Sequence, residues 1–354
     1  MQTSSHIFIG NRAFSELKKF LLNRKNSGIF ILTDENTRKY CLPAVLRNIP
    51  ALRPASVIRI KSGEKNKTIE ACKKVWDVLI KNKADRGSLL INLGGGMTGD
   101  LGGFAASSFM RGIDFINIPT TLLAMVDASV GGKVAVNFND HKNQIGFFNQ
   151  PKAVFIYPGF LKTLPQRELL SGFAEMIKHG LIADKKYWKQ IRSVKKIDHK
   201  SGERLIAASV RIKNKIVKKD PSEKGERKKL NFGHTVGHAV ETYSLKKDKT
   251  KLLHGEAIAI GMICESRLAF RRKKLSGKEL KEITSFILSK YRPYKMSVPA
   301  QREILKLMQH DKKNENRRIN FTLLYGIGRS VTDNYCDDKL IRESLNYYNL
   351  AHLI

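Results

Sequence analysis

Residues 93–143 read LGGGMTGDLGGFAASSFMRGIDFINIPTTLLAMVDASVGGKVAVNFNDHKN, and their pattern decides the fold. An apolar run at 89–93 (LLINL) leads straight into three glycines, and a run of small residues follows. That is the order strand, tight turn, helix, in which backbone N–H groups and the positive end of the helix dipole can receive a pyrophosphate. The turn is not the GxGxxG fingerprint, and a tight turn that simply needs glycine gives the same letters, so its weight comes from the strand and helix around it. The stretch is also short of charge. Of 354 residues 65 are Lys or Arg, yet 101–150 hold three of them, Arg111, Lys133 and Lys142. Such sparing placement is expected of buried cations with an anion to meet, because an unpaired buried charge is costly. The bland alternative is three snorkelling surface residues.

Working outward, apolar runs rich in β-branched residues recur at 28–33 (GIFILT), 57–60 (VIRI), 115–118 (FINI) and 154–156 (VFI), each read as a buried strand. Helical patterns lie between them. Ile69, Cys72, Val75, Trp76, Leu79 and Ile80 share one face, with Thr68 as N-cap. Strand alternating with helix implies a parallel sheet, so residues 1–160 read as a doubly wound, Rossmann-like domain of the nucleotide-binding type. Beyond Leu164 amphipathic helices take over, at 165–182, 202–217, 233–243, 255–270 and 338–348, with 319–324 (INFTLL) as one possible strand. The fold expected is therefore α/β with a mainly α-helical second domain over 161–354. No internal repeat or low-complexity linker is visible.

Composition bounds the partners. The net charge is +33, and residues 185–230 carry 17 basic against 5 acidic residues, which raises nucleic acid or an anionic membrane as a partner. The lysines, however, are spread along nearly the whole chain without an aromatic-interleaved RNA motif or a recognition helix, so a lysine-rich solvated surface is the better reading. Cys41, Cys72, Cys264 and Cys336 form no CxxC pair, which argues against a disulfide framework or thiolate zinc site and fits a reducing cytoplasm. No basic n-region with an apolar run opens the chain and no stretch approaches 18 apolar residues, so no export or membrane span is expected.

A second constellation comprises Glu175 in GFAEMIKHG, His234 and His238 in NFGHTVGHAVE, and His254 in LHGEA. Residues 234 and 238 share a helix face at i and i+4, a spacing two metal ligands can use. Two imidazoles and a carboxylate with an open fourth position would make a catalytic zinc site. Spacing alone keeps His179 in contention, because it stands at i+4 from Glu175, and any of these histidines could instead be a hydrogen-bonded structural residue.

Here the motifs converge. The sequence resembles the 3-dehydroquinate synthase family, the second enzyme of the shikimate pathway, over nearly its full length. The matches are SGEKNK at 62–67, GGGMTGDLGGF at 94–104, MRG at 110–112, PTTLLAMVDASVGGKVAVN at 119–137, then KNQIGFFNQP, FLKTLP, GFAEMIKHGLI, RKKLNFGHTVGHAVE, LLHGEAIAIGM and HDKKN. The resemblance implies roles. Glu175, His234 and His254 would bind zinc, with cobalt as an alternative metal, while His238 would face the substrate and His179 would be structural. Asp34, Asn36, Glu64, Lys67, Gly95, Gly96, Gly99, Asp100, Thr120, Thr121, Phe160 and Thr163 would hold NAD, with Lys133 and Lys142 beside it. Arg111, Asp127, Lys133, Asn143, Lys213, Arg227, Asn231, His238 and one or both of Lys312 and Lys313 would surround the substrate. Glu223 and His238 are the candidate proton acceptors, with Lys133 and Arg111 also in the catalytic set.

The implied reaction suits those residue types. A seven-carbon keto acid phosphate carries two anions, which call for several fixed cations. NAD would oxidise the C5 hydroxyl and acidify the neighbouring C6 proton, phosphate would leave by β-elimination, and reduction, ring opening and an aldol closure would follow. A homodimer in the cytoplasm is the expected setting. Departures from the family pattern are Tyr157 for an acidic residue, Val134 for a frequent Thr, His141 for a common Gly and the longer SLKKDKT loop. They leave room for another sugar phosphate cyclase, one that makes inosose or valiolone rings. A metal-dependent NAD polyol dehydrogenase of the glycerol dehydrogenase type shares the architecture but lacks the cation cluster for two anions.

Overall fold

The five β-branched runs of the first 160 residues all become strands of one sheet. The computed structural model describes residues 6–139, 141–195, 199–309 and 319–351. Its first unit, Met1–Pro165 with Ile197–Val210, runs β1 (His6–Ile9), α1 (Arg12–Leu22), β2 (Ile29–Asp34), α2 (Glu35–Tyr40), α3 (Leu42–Asn48), β3 (Ser56–Ile60), α4 (Ile69–Lys81), β4 (Leu89–Gly94), α5 (Gly96–Ser108), β5 (Asp114–Pro119), β6 (Lys133–Phe138), β7 (His141–Phe148) and β8 (Ala153–Ile156). Six strands pair in the order β1, β8, β5, β4, β2, β3, every neighbour parallel. The central ones are continuously apolar because both faces are covered; all six residues of β4 are buried.

Winding reverses inside this sheet. From β2 the chain moves outward to β3, whereas from β4 it moves the other way to β5, so the reversal lies between β2 and β4. In open α/β sheets the crevice at the carboxyl ends of such strands is where a ligand sits. The residues there are Asp34 and the glycine turn after Gly94.

Thr68 caps α4 as expected, accepting the Ala71 N–H at 3.3 Å, and Cys72, Val75 and Leu79 are buried beneath it. Ile80 does not share that face. It stands about 100° round the helix from Leu79 and is 63% exposed. The antiparallel β6–β7 hairpin also lies outside the sequence reading, since β7 is exposed at all eight positions and shows no alternation.

The second unit, Gln166–Lys196 with Arg211–Ile354, is mainly helical: α6 (Gln166–Ala183), α7 (Lys185–Ser193), α8 (His199–Lys219), which spans the division, α9 (His234–Lys247), α10 (His254–Arg271), α11 (Gly277–Leu288), α12 (Val298–Gln309) and α13 (Asp338–Leu350). INFTLL is a strand, β9 (Ile319–Leu324), paired antiparallel with β10 (Ser330–Cys336). Among the described residues no helix is long and apolar enough to cross a membrane, and all four cysteines are buried free thiols.

Candidate active site

The carboxyl edge of the first unit's sheet gathers most residues expected at the cofactor. Asp34 ends β2, Glu64 and Lys67 follow β3, Gly95, Gly96, Gly99 and Asp100 open α5 after β4, and Thr120 and Thr121 follow β5. The Thr120 N–H donates to Gly94 O at 3.0 Å, which ties the end of β5 to the glycine turn. No side chain caps α5, and a Cβ on Gly99 would meet nothing within 4 Å. An uncapped first turn with open space beside it is where an anion binds a helix. Asp34 is partly committed, because its Oδ1 accepts the Thr37 N–H at 2.8 Å and caps α2. Asn36 is exposed in that same turn. Phe160 and Thr163 follow β8, two strands from the reversal; the Phe160 ring is buried against Phe14 and Tyr157, which leaves only its backbone for a cofactor.

Lys67 organises a knot of polar groups at this edge. Its ammonium, 3% exposed, donates to Asp100 at 2.9 Å, lies 3.2 Å from Glu64 and also reaches Asn143 Oδ1. Burial alone would lower the Lys67 pKa, but Asp100 and Glu64 beside it raise it, so it is a fixed cation. Asn137 closes the ring: its amide donates to Glu64 Oε1 at 3.1 Å, and its Oδ1 accepts the Asn143 N–H at 3.0 Å. Asn137 stands in a quoted motif but is not among the sequence candidates; its contact with Glu64 joins positions 73 residues apart.

Arg111, Lys133 and Lys142 are exposed, which overturns their reading as buried cations. Arg111 sits just past α5, Lys133 opens β6, and Lys142 lies on the exposed β7. Among the described residues the buried Lys and Arg side chains are Lys67, Lys178, Lys213 and Arg227. Three of the substrate and proton-acceptor candidates share an unusual backbone: Arg111 (φ 68°), Asn143 (φ 54°) and Glu223 (φ 60°) occupy the left-handed region. Side chains other than Gly and Asn rarely sit there unless their surroundings impose it, and such residues cluster at functional sites. Asp127 falls in a single widened π-type turn, Ala124–Ala128, another feature over-represented at such sites.

In the second unit α6, α9 and α10 bring Glu175, His234, His238 and His254 together. The helices meet through missing side chains: a Cβ on Gly255 would lie 2.1 Å from Ser171 O, and one on Gly261 2.0 Å from Gly233 O. Glu265 on α10 fastens the first turn of α9, accepting the Gly233 and Val236 N–H groups at 2.6 and 3.1 Å. Glu175 is fully buried. Its Oε1 lies 3.6 Å from His234 Nε2 and 3.5 Å from His254 Nε2, and Lys178, one turn on, is ion-paired with Oε2. Neither oxygen accepts a hydrogen bond from any described residue.

The charge states follow. Burial would raise the Glu175 pKa, but Lys178 and the two imidazoles hold it well below the usual carboxylate range. Burial, reinforced by the Lys178 charge, pushes His234 well down and keeps it neutral. Burial also works to lower His254, yet Glu175 and Glu241 on its two sides raise it to about 9. His234 Nδ1 faces Phe232 O at 3.1 Å, so its bare Nε2 points at Glu175. One ligand atom each from Glu175, His234 and His254 can be chosen within 4.8 Å of one another. An anionic oxygen with no hydrogen bond and two inward ring nitrogens fit a divalent ion.

His238 is exposed on α9, its ring 5.0 Å from that of His234 and 5.9 Å from that of His254. His179 is buried on α6. The segment before α9 carries the remaining candidates. Asp220 accepts the N–H groups of Lys224, Gly225 and Arg227 at 3.0, 2.7 and 3.0 Å, and folds 220–227 into a tight loop. Inside it Arg227 is buried, with Nη1 donating to Pro221 O at 2.7 Å, and the Asn231 amide donates to Glu223 Oε1 at 3.1 Å. Lys213 is buried on α8. Lys312 and Lys313 lie outside the described residues. Lys178, Glu241 and Glu265 escape the sequence reading, although Lys178 stands inside the quoted GFAEMIKHG and Glu241 closes the quoted NFGHTVGHAVE.

Comparison with known proteins places the chain in a family. Models of the 3-dehydroquinate synthase N-terminal and C-terminal regions match residues 57–171 and 172–314. A 3-dehydroquinate synthase of Parabacteroides distasonis is 42% identical over 336 residues, covering 94% of this chain and 95% of its own. Among solved structures, a 2-deoxy-scyllo-inosose synthase complexed with carbaglucose-6-phosphate, NAD+ and Co2+ has the same fold, with TM-score 0.84 at 24% identity, covering 98% of this chain and 99% of that one. A protein described as a probable glycerol dehydrogenase from Sinorhizobium meliloti is more distant, at TM-score 0.66 and 14% identity over 100% and 99% of the two chains. With both family models matched in order and two-fifths identity along nearly the whole length, the chain belongs to the 3-dehydroquinate synthase family.

Proposed function

We propose that the chain is a 3-dehydroquinate synthase, a carbon–oxygen lyase that converts 3-deoxy-D-arabino-heptulosonate 7-phosphate to 3-dehydroquinate and phosphate. The first unit would bind NAD at the carboxyl edge of its sheet, and the second would hold zinc, or cobalt, on Glu175, His234 and His254. The observation that carries this reading is the buried Glu175 carboxylate, bare of hydrogen bonds and faced by two ring nitrogens. When bound, NAD supplies a hydride acceptor that returns the same hydride, and the metal supplies a Lewis acid for the oxygen being oxidised.

The chain's own residues would do the rest. Arg111, Lys133, Lys213, Arg227 and Lys312 or Lys313 hold the carboxylate and phosphate, while Asp127, Asn143 and Asn231 orient hydroxyls. Glu223, fixed by Asn231, and His238 are positioned as proton acceptors. Lys142 stands with the cofactor set. A cytoplasmic homodimer belongs to the same proposal.

The test is incubation with the keto acid phosphate, NAD and zinc. Expected are stoichiometric phosphate release with no net NADH absorbance, and retention of deuterium placed at C5. Accumulation of NADH in proportion to turnover would reject the closed hydride cycle and favour a polyol dehydrogenase.

A further inference from the structure

We propose that Glu241 is a positioning residue for the metal: its carboxylate holds the Nδ1–H of His254 and so fixes that ring with Nε2 toward Glu175. The inference rests on the metal reading above and extends it to a residue outside the ligand set. Glu241 lies on α9, three residues past His238, and is only 7% exposed. Its Oε2 is 3.5 Å from His254 Nδ1, and His254 Nε2 is 3.5 Å from Glu175 Oε1. One imidazole therefore spans two buried carboxylates carried by two different helices, α9 and α6.

A neutral imidazole has one N–H and one bare nitrogen, and only the bare one can ligate. His234 settles its choice through the carbonyl of Phe232. His254 has an anion on each side, and with its Nε2 serving as the ligand atom on the Glu175 side its N–H would lie at Nδ1, facing Glu241. A shift of a few tenths of an ångström brings that contact to hydrogen-bond length. An anionic acceptor behind the ring also makes it a more basic ligand than a carbonyl does. A second ion shared by His238, Glu241 and His254 would need His254 bare at both nitrogens, so the carboxylate serves the ring and not another metal. The arrangement is reciprocal, since Glu265 on α10 fastens the turn of α9 that bears His234.

The experiment measures zinc affinity by competition with a chromophoric chelator for the full-length wild type, Glu241→Gln, Glu241→Ala and Glu175→Gln. Visible spectra of the cobalt-loaded forms and melting of the metal-free forms accompany it. Glu241→Ala is expected to lose about 10- to 100-fold in zinc affinity. Glu241→Gln, which keeps an acceptor without its charge, should lose less, and the cobalt bands should shift in both while metal-free melting stays close to wild type. Wild-type zinc affinity and unshifted cobalt bands in the Glu241 variants would overturn the proposal; should Glu241→Ala fail to fold, Glu241→Gln decides by the same two readouts. Zinc binding lost in Glu175→Gln but untouched in both Glu241 variants would leave the metal site standing and reject Glu241 alone. No zinc uptake by the wild type would reject both.

Discussion

Lys67 and Lys178 are both buried lysines beside carboxylates, one in each unit, and their surroundings differ in a way that separates two kinds of site. Around Lys67 the groups close on one another: Glu64, Asp100 and Asn143 share the ammonium, and Asn137 links Glu64 back to Asn143. Lys178 meets one oxygen of Glu175, while the other oxygen faces two imidazoles and accepts no hydrogen bond. A self-satisfied knot is stable as it stands, and a ligand arriving there must exchange partners with it. The second oxygen of the Glu175 carboxylate, which Lys178 leaves free and which accepts no hydrogen bond, still has room for a positive partner between the two imidazoles. The first arrangement suits a cofactor that comes and goes, and the second a resident ion.

The largest expected effect tests the second half of that contrast. Glu175→Gln, His234→Ala and His254→Ala should each strip zinc from the protein and lower turnover by about a thousandfold or more, the scale of several kcal/mol of lost charge stabilisation. His179→Ala should keep its zinc, although His179 is buried on the same helix as Glu175. Metal analysis of the four purified variants checks this, and equal loss in His179→Ala would break the assignment.

How far the chain could be read before its structure follows from the range of each interaction. The sheet was legible because a β-branched run, a glycine turn and a cap such as Thr68 are local signals. The cluster of Glu175 with its histidines was legible as a candidate because the motifs that carry them are specific, whereas the shared helix face of His234 and His238 did not by itself single out a ligand set. Arg111, Lys133 and Lys142 misled, because a stretch poor in charge reflected glycine-rich turns and an exposed hairpin and not burial. Glu241 and Glu265 look like ordinary helix charges in sequence. Only packing of α9 on α10 shows that each serves the other helix. β10 stayed hidden because SVTDNYC alternates too weakly to mark a strand.

A middle-sized effect sharpens the first half of the contrast. Lys67→Met removes the cation shared by Glu64 and Asp100. Stability should drop by about 1–3 kcal/mol, the range for groups left unsatisfied when one partner goes, and NAD should bind about tenfold more weakly, near 1.4 kcal/mol. Zinc content should not change. A parallel loss of zinc would mean that the two regions are not independent, and the comparison would fail.

The smallest effect concerns the loop that carries Glu223 and Arg227, whose order depends on neither knot nor metal. Three backbone N–H groups converge on the carboxylate of Asp220, and the Gly225 N–H, with those of Arg227 and Lys224, lowers its pKa against an opposing effect of burial. A carboxylate whose folded pKa lies below its unfolded value stabilises above the unfolded pKa and loses that contribution as pH falls through the folded one. The ordinary value is 3.8, so the loop should hold its shape throughout pH 6–9. Any change of turnover in that window must then come from other groups. Asp220→Ala should lower turnover several-fold through misplacement of Glu223 and Arg227, with zinc content and NAD affinity at wild-type values. The pH profile of the variant should run parallel to the wild type between 6 and 9. A profile that diverges there would show that Asp220 titrates in the working range and that the loop, like the metal centre, answers to protons.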